Sequence, residues 1–242
     1  MSTVYGGEQA REWLASNYGC GVRDLSADSA RLYRTGEGDS FQLLAMGGGP
    51  VAAAGGRVYE RAAAFLREHP VSAAELPLFE LEERCLRPFG LKLSECVRYL
   101  YTGEGEQLSL PPGFTCRLTE RGPELDALAS DRRFRNALGG GGIDVLARGA
   151  YVDGRPVSLA GADDRSGSLW QVGVDTLPDY RHRGLSAALT RQLAEDILER
   201  GAIPYYTTWT RNLYSARTAL KSGFVPCWVE YEAVPVNKPE KE

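Results

Sequence analysis

The sequence predicts an α/β protein of two domains, and three observations predict it. Helical and strand-like hydrophobic patterns alternate along its 242 residues. A breaker cluster, Leu108-Ser-Leu-Pro-Pro-Gly113, interrupts them near the middle. Residues Leu169 to Leu189 read as strand, loop and helix in direct succession, and the second half is organised around them. The expected division is a smaller α/β accessory domain over 1–110 and a main domain over 111–242.

In the first half, Glu8 to Tyr18 reads as a helix with Ala10, Trp13 and Leu14 on one side, closed by Gly19. Phe41 to Ala45 reads as a strand. The small-residue stretch that follows is bracketed by Gly47-Gly-Gly-Pro50 and Gly55-Gly56. No Gly-Lys-Ser/Thr follows the glycines, so they read as a turn rather than a phosphate loop. Val58 to Glu68 is helical by pattern, with Val58, Ala62, Phe65 and Leu66 on one face and Pro70 as its stop. Leu76 to Leu86 reads as a further helix, and Leu91 to Thr102 as a strand. None of these residues forms a constellation that converts into chemistry. The half is expected to cover the second and to shape an acceptor site.

In the second half, Phe114 to Thr119 reads as a strand and Pro123 to Leu138 as a helix. The run Gly139 to Gly142 reads as a linker, with a loop over a bound ligand as the alternative. Arg148 to Val152 and Pro156 to Ala162 flank Asp153-Gly154, a strong hairpin signal. Leu169 to Asp175 is the next strand. Leu185 to Arg200 is a helix with Leu185, Leu189, Leu193 and Ile197 four apart on one face, ended by Gly201. Pro204 to Thr210 is a strand. Asn212 suits an N-cap for a helix to Ser222, Gly223 its stop, and Val225 to Val234 the last strand. The tail Asn237 to Glu242 is charged and expected to fray.

Composition excludes several classes. With 43% apolar and 25% charged residues the chain is of the globular type and long enough for a sizeable core. Its 28 basic and 32 acidic residues give a net charge of −4, which implies no general affinity for nucleic acid. The five cysteines are scattered and odd in number, against a disulfide framework or zinc site and in keeping with a reducing cytosol. Only two histidines occur, His69 and His182, so a His-based triad or metal cluster is not expected. The N-terminus lacks a basic segment followed by an apolar one, and no run is long enough to span a bilayer. The expected location is cytoplasmic, with no membrane partner and no metal.

Chemistry enters at the central stretch. Arg181-His182-Arg183 and Gly184 stand between a strand and a long helix, followed by Leu185 and Ser186. Helix N-terminal amides point outward and the helix dipole favours negative charge there. Two cationic side chains beside such amides make a phosphate site. The spacing Arg181-x-x-Gly184-x-Ser186 resembles the Arg/Gln-x-x-Gly-x-Gly/Ala signature of the GNAT acyltransferases. A second stretch, Asn212-Leu-Tyr-Ser215 followed by Lys221-Ser-Gly-Phe224, resembles their Asn-x-x-Ala/Ser…Gly-Phe pattern. The resemblance covers about Phe114 to Val234. Arg98-Tyr99 and Leu110-Pro-Pro-Gly-Phe114 extend it weakly to a bacterial subfamily with an extra N-terminal α/β domain.

The resemblance implies a mixed sheet, flanked by helices, that splays open between its fourth and fifth strands. It implies acetyl-CoA as cosubstrate, with its pyrophosphate on the amides from Arg181 through His182, Arg183, Gly184 and Leu185 to Ser186. The main chain of Val172 and Val174 would meet its pantetheine, and Asn212 and Ser215 would face it. Two positions depart from the family pattern. Ser186 stands where Gly or Ala is usual, and Ala219 stands where many members carry a tyrosine that protonates the departing thiolate.

The implied activity is acetyl transfer to a primary amine, a small molecule or a peptide, by direct attack on the thioester, with the Val172 N–H at the oxyanion. The acceptor must lose a proton first. Gln171 on the central strand is a candidate for orienting a water, and Glu230 and Glu232, on one face of the last strand, are candidates for a base or an anchor for a cationic acceptor. The rival reading is a non-catalytic acyl-CoA-binding sensor or interaction module. The sequence does not show the oligomeric state.

Overall fold

The computed structural model describes residues 5–105, 107–139 and 142–237. Contacts divide the chain into two compact units. One is Met1–Gly6 with Arg98–Pro226, and the other is Gly7–Val97 with Cys227–Glu242. The divisions fall at Gly7, at the start of the first helix, and at Arg98 and Cys227, inside two strands. Of the expected tail Asn237 to Glu242, only Asn237 is described; 238–242 lie outside the described residues, as do Met1 to Val4 and the middle of the glycine run, Gly140 and Gly141.

The unit holding Gly7–Val97 begins with α1 (Gly7–Tyr18), then β1 (Arg31–Arg34), β2 (Ser40–Ala45), β3 (Val51–Gly55), α2 (Val58–Glu68), the single turn α3 (Leu78–Leu81) and most of β4 (Leu91–Tyr101). Its sheet is mixed: β1 pairs parallel with β3, and β2 pairs antiparallel with β3. The four apolar residues foreseen on α2 are all buried, with Phe65 fully so. They close a core with Phe41, Leu43, Ala52, Ala54, Leu81 and Leu86. The helix expected over Leu76 to Leu86 is only one α-turn, continued by a wide turn over Glu82–Leu86 and a tight one over Arg87–Phe89.

The unit holding Arg98–Pro226 carries β5 (Thr115–Glu120), α4 (Pro123–Ala129), β6 (Asp144–Val152), β7 (Arg155–Ser166), β8 (Leu169–Thr176), α5 (Leu185–Glu199), β9 (Ile203–Trp209), α6 (Leu213–Lys221) and the start of β10 (Phe224–Pro235). The strands β5 to β8 form an antiparallel meander, and β9 joins β8 in parallel, so the strand pairing here is mixed too. The Asp-Gly hairpin is present: Asp153 and Gly154 both have positive φ, 49° and 74°, as a two-residue turn of this kind requires.

The helix expected over Pro123 to Leu138 is broken. It stops at Ala129, and a 3₁₀ turn follows over Arg132–Phe134. Asp131 is the cause: its carboxylate accepts from the Arg133 N–H at 3.0 Å and from the Arg133 guanidinium, giving the backbone an alternative to the helical ladder. The segment after the break packs Phe134, Ala137 and Leu138 onto Ala147 and Leu159.

Two glycines permit this docking. A Cβ at Gly161 would overlap the Ala137 carbonyl, and one at Gly173 would overlap the Asn136 carbonyl. The two glycines are cross-strand partners on β7 and β8, so the sheet presents a bare patch on which the segment lies. On α5 the predicted stripe Leu185, Leu189, Leu193 and Ile197 is buried. Its Asp196 pairs with the Arg148 guanidinium of β6, one of whose bonds is 2.7 Å, and that partnership raises the already high Arg148 pKa.

Candidate functional site

The loop between β8 and α5 shapes its backbone for an anion. Pro178–Tyr180 make one 3₁₀ turn, and the Arg181 N–H is spent on the Pro178 carbonyl at 3.2 Å. His182 then takes φ +63° and Gly184 φ +81°, both left-handed. Left-handed residues at alternate positions turn successive N–H groups to one side and form a concave nest. The first intrahelical bond of α5 runs from Ala188 N–H to the Gly184 carbonyl. Among the described residues, no protein acceptor meets the N–H groups of His182, Arg183, Gly184, Leu185, Ser186 or Ala187.

Arg181 to Gly184 are exposed, and a Cβ at Gly184 would have open space within 4 Å. Arg181 Nε donates to the Thr176 carbonyl at 3.3 Å, and Arg183 Nη2 to the Asp179 carbonyl at 3.2 Å. Both guanidiniums are thereby tethered beside the nest. Unpaired amides, the positive end of a fifteen-residue helix and two arginines make a site for a multiply charged anion.

Ser186, the departure from the small-residue pattern, has a local explanation. Its hydroxyl lies 2.7 Å from Thr176 Oγ1, which lies 2.6 Å from Ser158 Oγ, and Ser158 donates to the Asp175 carbonyl at 3.1 Å. Since each hydroxyl has one proton, the row donates inward from Ser186 to Thr176 to Ser158. Ser186 therefore ties the first turn of α5 to the end of β8 and leaves the anion to backbone amides. Sequence reading missed Thr176 and Ser158. Their signal was faint: two hydroxyl residues on neighbouring antiparallel strands, visible only once the register Ser158 to Thr176 is known.

The expected splay is visible in the ladder. The strand pairs run Leu169–Ile203, Trp170–Pro204, Gln171–Tyr205 and Val172–Tyr206, and no later residue of β8 has a β9 partner among the described residues. Gly173 to Thr176 still pair with β7. The outer edge of β8 is thus open from Gly173 onward, and an extended ligand can pair with it as an added strand would. Val174 lies in that opening, whereas Val172 is the last paired residue.

The second signature sits on α6. Asn212 is its N-cap, with Oδ1 accepting from the Ser215 N–H at 3.1 Å. Ser215 Oγ meets the Tyr206 hydroxyl at 2.9 Å, and burial raises the Tyr206 pKa. At the other end, Ser222 Oγ lies 3.1 Å from the Ala187 carbonyl in the first turn of α5, so the two helices that carry the two signatures are bonded directly. Ala219 is fully buried and offers no titratable group. Tyr214 is 74% exposed, and its ring stands edge-on to His182 at 6.5 Å between centroids.

The three candidates for proton handling fare differently. Gln171 is half-buried on β8, and its Oε1 accepts from the Tyr205 hydroxyl at 3.0 Å. Glu230 and Glu232 belong to the other compact unit, where β10 pairs with β2 through Glu230–Leu44 and Glu232–Gln42. There Glu230 accepts from the Trp228 indole N–H at 3.1 Å, and Glu232 is exposed. Among the described residues no cluster of His, Cys, Asp and Glu suits a metal ion, and no helix is long and apolar enough to cross a membrane.

No protein-family model matches the chain, and no curated protein matches it. Solved structures do. One, named as an acetyltransferase of the GNAT family from Novosphingobium aromaticivorans, is 25% identical with a TM-score of 0.44, over 60% of this chain and 66% of its own. A GCN5-related N-acetyltransferase-like protein from Streptococcus suis is 25% identical with a TM-score of 0.47, over 64% and 67%. A GCN5-related N-acetyltransferase from Kribbella flavida is 20% identical with a TM-score of 0.44, over 64% and 66%. The chain thus spans about two thirds of the length of these relatives. They carry the superfamily name that the two sequence signatures resemble. They do not speak to the subfamily with an extra N-terminal domain, and with TM-scores below 0.5 the case for function stands on the chain's own residues.

Proposed function

We propose that this chain is an acetyl-CoA-dependent N-acetyltransferase of the GNAT type, acting on a primary amine. The observation that carries the proposal is the coincidence of an anion nest at Arg181 to Ala187 with an open strand edge starting at Gly173. A diphosphate on the nest and an amide-bearing arm along the open edge is what coenzyme A requires. The amides of His182 to Ala187, with Arg181 and Arg183, hold the pyrophosphate. The edge around Val174 accepts and donates to the pantetheine amides.

The thioester is delivered to the fork, where the amine attacks it directly. The gain comes from placing both reactants in one geometry. With Ala219 in place of the customary tyrosine, the thiolate departs with little help from an acid, which its ordinary pKa of about 8.5 permits. The amine acceptor, small molecule or peptide, and a cytoplasmic setting follow from the same reading.

Calorimetry with acetyl-CoA, coupled to thiol release over a panel of small amines, amino acids and peptides, tests it. Binding with amine-dependent thiol release supports the enzyme. Binding without turnover over the whole panel would mark a sensor instead, and no binding would overturn both.

A further inference from the structure

We infer that Gln171 is a catalytic residue of the proposed reaction, an amide donor to the acyl oxygen, and that Tyr205 is the residue that positions it. The inference rests on the acetyl-transfer reading. Gln171 and Tyr205 are direct partners across β8 and β9, one rung before the ladder ends at Val172–Tyr206. The Tyr205 hydroxyl donates to Gln171 Oε1 at 3.0 Å. Tyr205 is only 3% exposed, its hydroxyl lies 3.4 Å from Ser166 Oγ, and its ring stands under the Arg98 guanidinium at 5.8 Å. It is therefore a fixed post.

A primary amide whose oxygen is occupied offers two N–H donors and no basic atom. Among the described residues Gln171 Nε2 has no acceptor, and the residue is half-buried rather than enclosed. Gln171 thus does not suit a general base; its oxygen keeps one lone pair, and its amide nitrogen keeps both donors. It suits an oxygen on which negative charge develops.

The position fits that task. Along β8, Gln171, Gly173 and Asp175 share one face. On that face Asp175 holds the Asn136 and Ala137 N–H groups at 2.7 and 3.0 Å, so the 136–137 segment walls the strand immediately past Gln171. The other face carries Thr176, bonded to Ser186 beside the nest. A ligand anchored at the nest and passed through the open edge brings its end to the Gln171 face. As the amine nitrogen bonds to the acyl carbon, the carbonyl pair moves onto oxygen, and Nε2–H stabilises that charge. The pair then returns, the C–S bond breaks, and the thiolate leaves and takes up a proton equivalent to the one the amine loses.

The test uses the full chain, acetyl-CoA, and the best amine of the panel. Gln171→Ala is expected to lower kcat about 100-fold, in the range of a lost oxyanion donor, with the KM for acetyl-CoA within about twofold. Gln171→Glu, which accepts but cannot donate, is expected to do no better. Tyr205→Phe is expected to lower kcat about tenfold, with KM and the shape of the pH profile unchanged. By calorimetry Gln171→Ala should bind acetyl-CoA within about twofold of the wild type, a readout that needs no acceptor and separates a catalytic loss from a binding loss. An unimpaired Gln171→Ala, or a Gln171→Glu variant that keeps its rate and gains an acidic limb in its pH profile, would overturn the assignment while leaving the acetyl-transfer reading intact. A wild type that neither binds acetyl-CoA nor releases thiol would overturn both.

Discussion

Val172 and Tyr206 form the last rung between β8 and β9, and the Tyr206 hydroxyl reaches 2.9 Å to Ser215 on α6. The point at which the sheet opens is thereby bonded to the first turn of the helix that carries the second signature. A half-buried hydroxyl pair of this kind contributes about 1 kcal/mol net. Tyr206→Phe and Ser215→Ala should each lower stability by about that amount. A double-mutant cycle, measured by urea unfolding, should return a coupling of about 1 kcal/mol. A coupling near zero would show that α6 is not held at the fork by this bond.

Gly184→Trp should remove CoA affinity. A Cβ there would meet open space, so an indole has room to cover the adjacent amides without clashing with the protein. The φ of +81° adds strain of about 1 kcal/mol for any side chain. Gly184→Ala carries the same strain without the bulk, and should keep most of the affinity. Calorimetry of the two variants separates blocking from strain.

Gly173→Ala should destabilise the protein by about 2 kcal/mol, because its methyl group must displace the Asn136 carbonyl from the sheet. Thermal unfolding measures this. The segment it displaces is the wall next to Gln171, so thiol release should fall with stability.

Tyr101 predicts an alkaline limit. Burial, with the Glu195 charge next, pushes its phenol to about 12, against about 10 in an unfolded chain. A folded pKa above the unfolded value gives a contribution that is complete below about pH 10 and is lost as pH rises through the folded value. Urea midpoints should therefore fall between about pH 10 and 12, and Tyr101→Phe should make that fall shallower.

Local signals made most of the fold legible. The span of α2, the N-cap at Asn212 and the Asp-Gly hairpin depend on residues within a few positions of one another, and each was read from the sequence. The strand β1 was not, since Arg31 and Arg34 flank only two apolar residues. Nor was β3, where small residues conceal a strand that is buried throughout. The break in the expected helix after Pro123 turned on one carboxylate, Asp131, which binds Arg133 two positions on in place of the helical ladder, while Phe134, Ala137 and Leu138 dock on the sheet.

In the site, the nest was legible because glycine, arginine and helix start are contiguous. The Gln171–Tyr205 and Thr176–Ser186 bonds were not, because they join residues 34 and 10 positions apart through strand register and helix docking. The sequence offered Gln171 only as a residue to orient a water; the proposed donor role is argued from the Tyr205 bond to its Oε1.

The most direct measurement is a ¹⁵N–¹H chemical-shift titration of the full chain with coenzyme A. The amides of His182 to Ala187 should move first and furthest, together with Gly173 and Val174 along the open edge of β8. Saturable shifts that leave those amides in place, or no shifts at millimolar coenzyme, would contradict the anion nest on which the functional reading stands.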